Sequence, residues 1–356
     1  MKVLTIIGAR PQFIKAAAVS RAFKNFEGEL SEVLVHTGQH YDANMSEIFF
    51  EELSIPHPQY NLGIGGGTHG QNTGRMIEKI EEVLLKEKPD FTLVYGDTDS
   101  TLAGAIASSK LHIPLAHVEA GLRSFNRRMP EEINRVLTDH VADLLFAPTQ
   151  TAVKNLKIEG ILENSIQLVG DVMFDASLFY RAQSRRPVLN TGIEKGYALC
   201  TIHRAENCDQ IEKLKEILEG LASLPSQILL PLHPRTKAKI AEHNLSVALN
   251  ITLLPPVSYL EMIWLEMNSA VIITDSGGVQ KEAFFFKKPC ITLRNETEWV
   301  ELVEIGANIL VGHSPAALRE AFFNFMNAQF LFPQQELYGD GASAQRIAET
   351  IKSCAK

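Results

Sequence analysis

The chain has 356 residues, of which 45% are hydrophobic and 21% charged, and its formal net charge is −8. That length favours two domains over one, and the acidic balance excludes a nucleic-acid binder held by general electrostatics. An anionic substrate would need a local basic pocket.

In chain order, KVLTIIG reads as a buried parallel strand, ended by Gly8 and followed by a helical pattern with Pro11 at its first turn. Such a turn is where α/β proteins bind phosphates. It matches neither common glycine-rich phosphate motif, and offers instead Arg10 and, one turn into the helix, Lys15. Further strands are predicted at 31–37, 90–96, 113–119, 143–147 and 166–169, with helical patterns at 12–25, 43–53, 71–87, 99–110, 130–142 and 150–158. Repeated βα units imply a parallel sheet with helices on both faces. After the polar stretch Ala182 to Gly196, read as a linker, a second series follows: GYALCTIH, QILLPLH, NITLLPP, AVIITD, KPCITLR and NILVG as strands, with helices including 208–223, 258–268, 277–286 and 315–327. The expected fold is α/β, with two doubly wound Rossmann-like domains at 1–181 and 182–340. A C-terminal helical segment, 341–356, is expected to cross back to the first domain.

Cys200, Cys208, Cys290 and Cys354 form no C-x-x-C pair, so no zinc or other metal site is expected. No apolar run approaches the ~18 residues of a membrane span, and the N-terminus enters a strand at Lys2 without a cleavable signal. The expectation is a cytoplasmic protein with no membrane partner.

Ligands of open parallel sheets sit beyond the carboxyl ends of the strands. Those ends carry Arg10; Asp97 and Thr98; His117, Glu119 and Arg123; His203, Arg204 and Glu206; His233 and Arg235; and Asp275, Ser276, Gly277 and Gly278. Each has a plain alternative. Asp275 could simply cap the following helix, His117 could be a satisfied core histidine, and Arg123, Arg127 and Arg128 a solvated loop. The joint pattern is harder to dismiss. TDSGG opens a helix whose backbone N–H groups and dipole favour an anion. One helix terminus contributes only ~0.3–2 kcal/mol, so Arg10, Lys15, His203 and Arg204 would supply the remaining charge for a nucleotide diphosphate. Glu282 is spaced to accept from ribose hydroxyls. The carboxylates Asp97, Glu119, Glu131 and Glu132 fit proton transfer rather than phosphate binding, and no Walker lysine accompanies them, which disfavours kinase chemistry.

Together GARPQFIK, YGDTDST, HVEAGLRS, MPEEINR, TIHRAEN and TDSGGVQKEA, in this order and spacing, resemble the non-hydrolysing UDP-N-acetylglucosamine 2-epimerases over essentially the whole chain. The resemblance implies glycosyltransferase-B architecture, an interdomain active site, a homodimer and no cofactor. It implies elimination of UDP across C1–C2 to a 2-acetamidoglucal, followed by re-addition with the proton delivered to the other face. By the same resemblance Asp97, Glu119 and Glu131 are the acid/base carboxylates, with base and acid unassigned. Arg10, Lys15 and His203 stabilise the departing diphosphate, and Ser276, Gly277 and Glu282 bind UDP. The short RSFNRRMPEE loop, RNETEWVELV and HTGQHYDANMSEIFFE are similar to the branch acting on UDP-2,3-diacetamido-2,3-dideoxy-glucuronate, in which Arg127 or Arg128 would meet the C6 carboxylate. That branch serves surface polysaccharide. The alternatives are a UDP-N-acetylglucosamine 2-epimerase, a hydrolysing epimerase, a UDP-sugar glycosyltransferase and a non-catalytic sugar-binding protein.

Overall fold

The computed structural model describes residues 1–39, 53, 55–188 and 196–354, with Arg10 described by its backbone alone. The helix expected at 43–53 lies outside the described residues except for Leu53, as does most of HTGQHYDANMSEIFFE. The chain divides into two compact units, Met1–Leu178 with Glu336–Lys356, and Phe179–Gln335.

The first unit alternates β1 (Lys2–Ile7), α1 (Arg10–Lys24), β2 (Ser31–His36), β3 (Tyr60–Asn61), α2 (His69–Glu87), β4 (Phe91–Tyr95), α3 (Asp99–Lys110), β5 (Leu115–Val118), α4 (Pro130–Val141), β6 (Leu144–Ala147), α5 (Gln150–Ile158), β7 (Ile166–Leu168) and α6 (Val172–Arg181). Its seven strands lie in the order β3-β2-β1-β4-β5-β6-β7, and all pairs are parallel. Strands β4 and β5 are buried at every position, as expected for a sheet covered on both faces. The order reverses between β1 and β4, and that reversal is the unit's topological switch point.

The second unit repeats the plan: β8 (Ala198–Thr201), α7 (Ala205–Cys208), α8 (Ile211–Ala222), β9 (Ile228–Pro231), α9 (Pro234–Glu242), β10 (Ile251–Leu254), α10 (Tyr259–Asn268), β11 (Val271–Thr274), α11 (Gly277–Phe285), β12 (Cys290–Thr292), α12 (Val300–Glu304), β13 (Asn308–Leu310) and α13 (Pro315–Met326). Its six strands run β10-β9-β8-β11-β12-β13, again all parallel, with the switch point between β8 and β11. Both sheets are therefore doubly wound. The sequence reading missed β3, α6, α7, α9 and α12. Helix α9 carried a readable signal, Pro234 at its first position, and His233 caps it by accepting from the Arg235 N–H at 3.2 Å.

The last helix, α14 (Ser343–Ser353), belongs to the first unit and packs on α1, burying Ile347, Ala348 and Ile351. It is tied down near the end of β7. The Asp171 N–H donates to the Tyr338 carbonyl at 3.0 Å, Ala344 N–H to Asp175 Oδ2 at 2.7 Å, and Arg346 Nη1 to the Val169 carbonyl at 3.1 Å. Gly170 makes this approach possible: its φ is +91°, and a Cβ there would lie 2.8 Å from the Tyr338 carbonyl oxygen and 2.7 Å from Ser343 Oγ. No helix among the described residues is long and apolar enough to cross a membrane.

Gly170→Ala meets both the positive φ and the backbone clash, so it should lower stability by about 1–3 kcal/mol. Urea unfolding would measure this, and limited proteolysis should show faster cutting within 336–343 as α14 loosens.

Candidate functional site

The β1–α1 turn lies at the first switch point, but its leading amides are already used. Gln12 Oε1 accepts from the N–H groups of Gly8 (2.7 Å) and Ala9 (2.9 Å), while its Nε2 donates to the Tyr95 carbonyl (2.8 Å) and Thr101 Oγ1 (2.9 Å). Gln12 thus locks the end of β1 to the end of β4, and the turn serves as a scaffold rather than an open amide cradle. Lys15, one turn on, pairs with the Glu119 carboxylate, and each of these side chains is only 9% exposed.

Glu119 follows β5 with φ +74°, a left-handed conformation that costs a non-glycine residue roughly 1–2 kcal/mol. Such an outlier marks a place where geometry outranks stability. Facing it, Gly96 has φ +62°, and a Cβ there would lie 3.2 Å from Lys15 Nζ and 3.3 Å from Glu119 Oε2. The next residue, Asp97, bonds through Oδ2 to Arg135 Nη2 of α4 and has a side chain 30% exposed. Thr98 caps α3 by accepting from Thr101 N–H, and Asn134 Nδ2 holds the Asp97 carbonyl at 3.0 Å. Ends of β1, β4 and β5 thus bring Lys15, Asp97 and Glu119 to the same part of the sheet.

The two glutamates that open α4 differ. Glu131 is exposed, whereas Glu132 is buried and accepts from Ser124 N–H (2.9 Å), Ser124 Oγ (3.0 Å), Phe125 N–H (2.9 Å) and Arg135 Nη1 (3.0 Å). Arg127 and Arg128 are exposed in the loop that Glu132 anchors. Arg123 is no solvated loop residue: it is buried, forks onto Glu159 at 2.7 and 2.6 Å, and donates to Asp139 Oδ2 at 2.7 Å. His117 is a satisfied core histidine, with Nδ1 2.7 Å from Asp139 Oδ1 and Nε2 2.7 Å from the Gly96 carbonyl. Burial works to raise the Asp139 carboxyl, but His117 and Arg123 outweigh it and hold its pKa below the ordinary 3.8.

In the second unit Asp275 does not cap the helix that follows it, the plain alternative for that residue; Ser276 does, its Oγ accepting from Val279 N–H at 3.5 Å. Asp275 is fully buried and turned the other way, accepting from His203 N–H (3.0 Å), Arg204 N–H (3.0 Å) and Asn207 Nδ2 (3.2 Å), with His203 Nδ1 at 3.1 Å. The reason is local. Strands β8 and β11 are neighbours, so the loop after β8 brings its amides to the carboxylate at the end of β11. Burial works to raise Asp275, and the His203 ring with these backbone donors overcomes it, so its pKa lies below 3.8. Ser276 and Gly277 are half-buried and Gly278 exposed at the N-terminus of α11. His203 and Arg204 are half-buried at the start of α7. Glu282 is buried and accepts from Tyr259 Oη at 2.8 Å. It adjoins Glu266, whose carboxyl is pushed well up by burial and by Glu282.

Sequence reasoning missed Arg135, Gln12, Tyr259 and the Arg294–Glu298 pair, 3.0 Å apart against Gly277. Within MPEEINR, the i, i+3 spacing of Glu132 and Arg135 is a signal that could have flagged that pair.

The chain matches the family model described as UDP-N-acetylglucosamine 2-epimerase over residues 22–352. It is 55% identical over 356 residues, with 99% of both proteins covered, to UDP-2,3-diacetamido-2,3-dideoxy-D-glucuronate 2-epimerase of Pseudomonas aeruginosa. It is 33% identical over 380 residues, again with 99% of both covered, to UDP-N-acetylglucosamine 2-epimerase of Escherichia coli. Among solved structures it is similar to Methanocaldococcus jannaschii UDP-GlcNAc 2-epimerase in complex with UDP-GlcNAc and UDP. The TM-score is 0.89 at 46% identity, covering 99% of this chain and 100% of that one.

Asp139→Asn breaks a buried ionic cluster and should cost about 3–5 kcal/mol. Because the folded carboxyl has the lower pKa, its contribution is complete above 3.8 and is lost as pH falls towards the folded value. Urea unfolding between about pH 3 and pH 7 should therefore show a shallower acid limb in the variant.

Proposed function

The chain belongs to the UDP-N-acetylglucosamine 2-epimerase family, and we propose that it inverts C2 of UDP-2,3-diacetamido-2,3-dideoxy-glucuronate, gluco to manno, for a surface polysaccharide. The reading extends to a homodimer acting in the cytoplasm. What carries it is the arrangement in the first unit of two carboxylates, Asp97 and Glu119, each fixed by one cation at a strand end. Carboxylates so held suit proton transfer at a carbon better than phosphate binding, since like charges repel.

An acetamido group at C2 leaves its proton weakly acidic, so the chemistry proceeds by elimination. A base takes the C2 proton, the C–H electrons form the C1=C2 bond, and the C1–O bond breaks with its pair leaving on UDP. Re-addition of UDP with protonation on the opposite face completes inversion. The proton transfers fall to the set Asp97, Glu119 and Glu131. The departing diphosphate is met by Arg10, Lys15, His203 and Arg204, with Ser276, Gly277 and Gly278 at the α11 N-terminus, and fixed charges of this kind are worth more as leaving-group charge develops. Glu282, oriented by Tyr259, takes the ribose. Arg127 and Arg128 are exposed on the loop where a C6 carboxylate would need a cation. The 55% identity to the P. aeruginosa uronate epimerase supports this substrate. A second reading, UDP-N-acetylglucosamine itself, is favoured by the M. jannaschii likeness at 46% identity.

Proton NMR in D₂O with both UDP-sugars in parallel decides between them. The uronate should give its manno isomer with deuterium at C2, and turnover of UDP-N-acetylglucosamine alone would select the second reading. Arg128→Ala should raise KM for the uronate by roughly tenfold, the loss of one charge-assisted hydrogen bond, and leave neutral sugars unaffected. An equal loss on both substrates removes Arg128 from carboxylate recognition.

A further inference from the structure

Three features lie outside the roles assigned above: the buried His117–Asp139–Arg123 cluster, the buried carboxyl of Glu266, and the bridge formed by Arg135. The bridge reaches furthest, because it joins a proposed reacting group to the loop proposed to read the substrate.

Arg135 sits on the second turn of α4 with a side chain 4% exposed. Its Nη1 donates to Glu132 Oε2 at 3.0 Å and its Nη2 to Asp97 Oδ2. The two carboxylates differ in what else they do. Glu132 is 3% exposed, and besides Arg135 its Oε2 takes Ser124 N–H and Ser124 Oγ while its Oε1 takes Phe125 N–H, so both of its oxygens are engaged. Phe125, held there, has φ +60°. Asp97 is 30% exposed, and among the described residues no hydrogen bond reaches its Oδ1. One guanidinium therefore clamps a buried carboxylate that pins the 124–125 backbone, and grips one oxygen of a second carboxylate whose other oxygen is left for a ligand. Asn134, between them on the same helix, fixes the Asp97 carbonyl at 3.0 Å and bonds Asp99 Oδ1 at 3.2 Å.

We infer that Arg135 is a positioning residue that sets the orientation of Asp97 and couples it, through Glu132, to the loop bearing Arg127 and Arg128. This rests on the epimerase reading. The planar fork serves two acceptors at fixed angles, which an ammonium group cannot reproduce. Its effect is on the placement of a proton-transferring oxygen, and displacements of about 1 Å at such a group cost on the order of 10²-fold in rate.

The test is steady-state and D₂O-exchange kinetics of the full chain with UDP-2,3-diacetamido-2,3-dideoxy-glucuronate and UDP-N-acetylglucosamine, comparing wild type, Arg135→Met, Arg135→Lys and Glu132→Gln. UDP binding and thermal melting are measured alongside. On whichever sugar the wild type turns over, Arg135→Met should lower kcat by roughly 10²-fold with KM changed less than about threefold. Arg135→Lys should recover about tenfold of that loss, and added guanidinium should partly rescue Arg135→Met. Glu132→Gln should raise KM and lower kcat together, because it loosens the loop as well as the clamp. Wild-type kcat in Arg135→Met overturns the inference while leaving the epimerase reading intact. So does a loss that neither lysine nor guanidinium recovers and that tracks lost melting temperature and UDP binding, since that is a structural role. No turnover of either sugar by the wild type overturns the epimerase reading and this inference with it.

Discussion

A carboxylate at the end of a buried parallel strand has to be held, because taking an unpaired charge out of water costs several kcal/mol. The first unit meets this constraint twice, with Lys15 on Glu119 and Arg135 on Asp97, and it holds two buried carboxylates of α4 in the same way, Glu132 by Arg135 and Asp139 by Arg123. The cations come from helices α1 and α4 and from the loop after β5, so those elements are fixed relative to the sheet by charge as well as by apolar packing. The left-handed backbone at Glu119 and the glycine at position 96 follow from the same demand, since Lys15, Gly96 and Glu119 occupy one crowded spot.

The second unit solves its own strand-end problem differently. Asp275 is fully buried, yet among the described residues it pairs with no arginine or lysine; the His203 ring and backbone amides of the α7 turn stabilise it. The cost of burial is met first by the His203 ring and then by backbone donors, one of them the Arg204 N–H. Ser276, by capping α11 itself, leaves Asp275 out of the path of an anion approaching that helix. An internal acid and an anion-favouring helix N-terminus can therefore follow one another in sequence without mutual repulsion dominating. The two units share strand order and differ in charge: one concentrates paired carboxylates at its switch point, the other presents amides and part-exposed cations.

Much of this was legible in the chain. Apolar runs such as KVLTIIG and FTLVY give parallel strands because both faces are covered, and βα alternation gives the winding. Polar residues just past each run could be placed at one sheet edge. What could not be read was direction. Asp275 looked like a cap for the helix after it, and only the adjacency of β8 and β11 turns it to the helix before. Glu131 and Glu132 are equivalent as neighbours in sequence, and only the register of α4 buries the second. Gln12 in GARPQFIK carries no local signal, yet its amide occupies the turn's donors. Two of these misses concern a side chain whose partner is distant in sequence, 83 residues for Gln12 and Tyr95 and 68 for Asp275 and Asn207, a separation that no local pattern encodes.

The loop between Arg123 and Pro130 is held at both ends. Arg123 anchors one end, through Asp139 and Glu159, and Glu132 pins the backbone at Ser124 and Phe125 from the helix that begins at the other end. Little chain remains between those anchors, and each residue of extended backbone adds only about 3.3–3.6 Å of reach. A longer loop could swing its tip away, whereas here the side chains of Arg127 and Arg128 must provide the reach that the backbone lacks. Arginine suits that position because its guanidinium stays charged and matches a carboxylate in two-point contact. The anchors at Arg123, Ser124 and Phe125 thus also restrict where the exposed side chains of Arg127 and Arg128 can point.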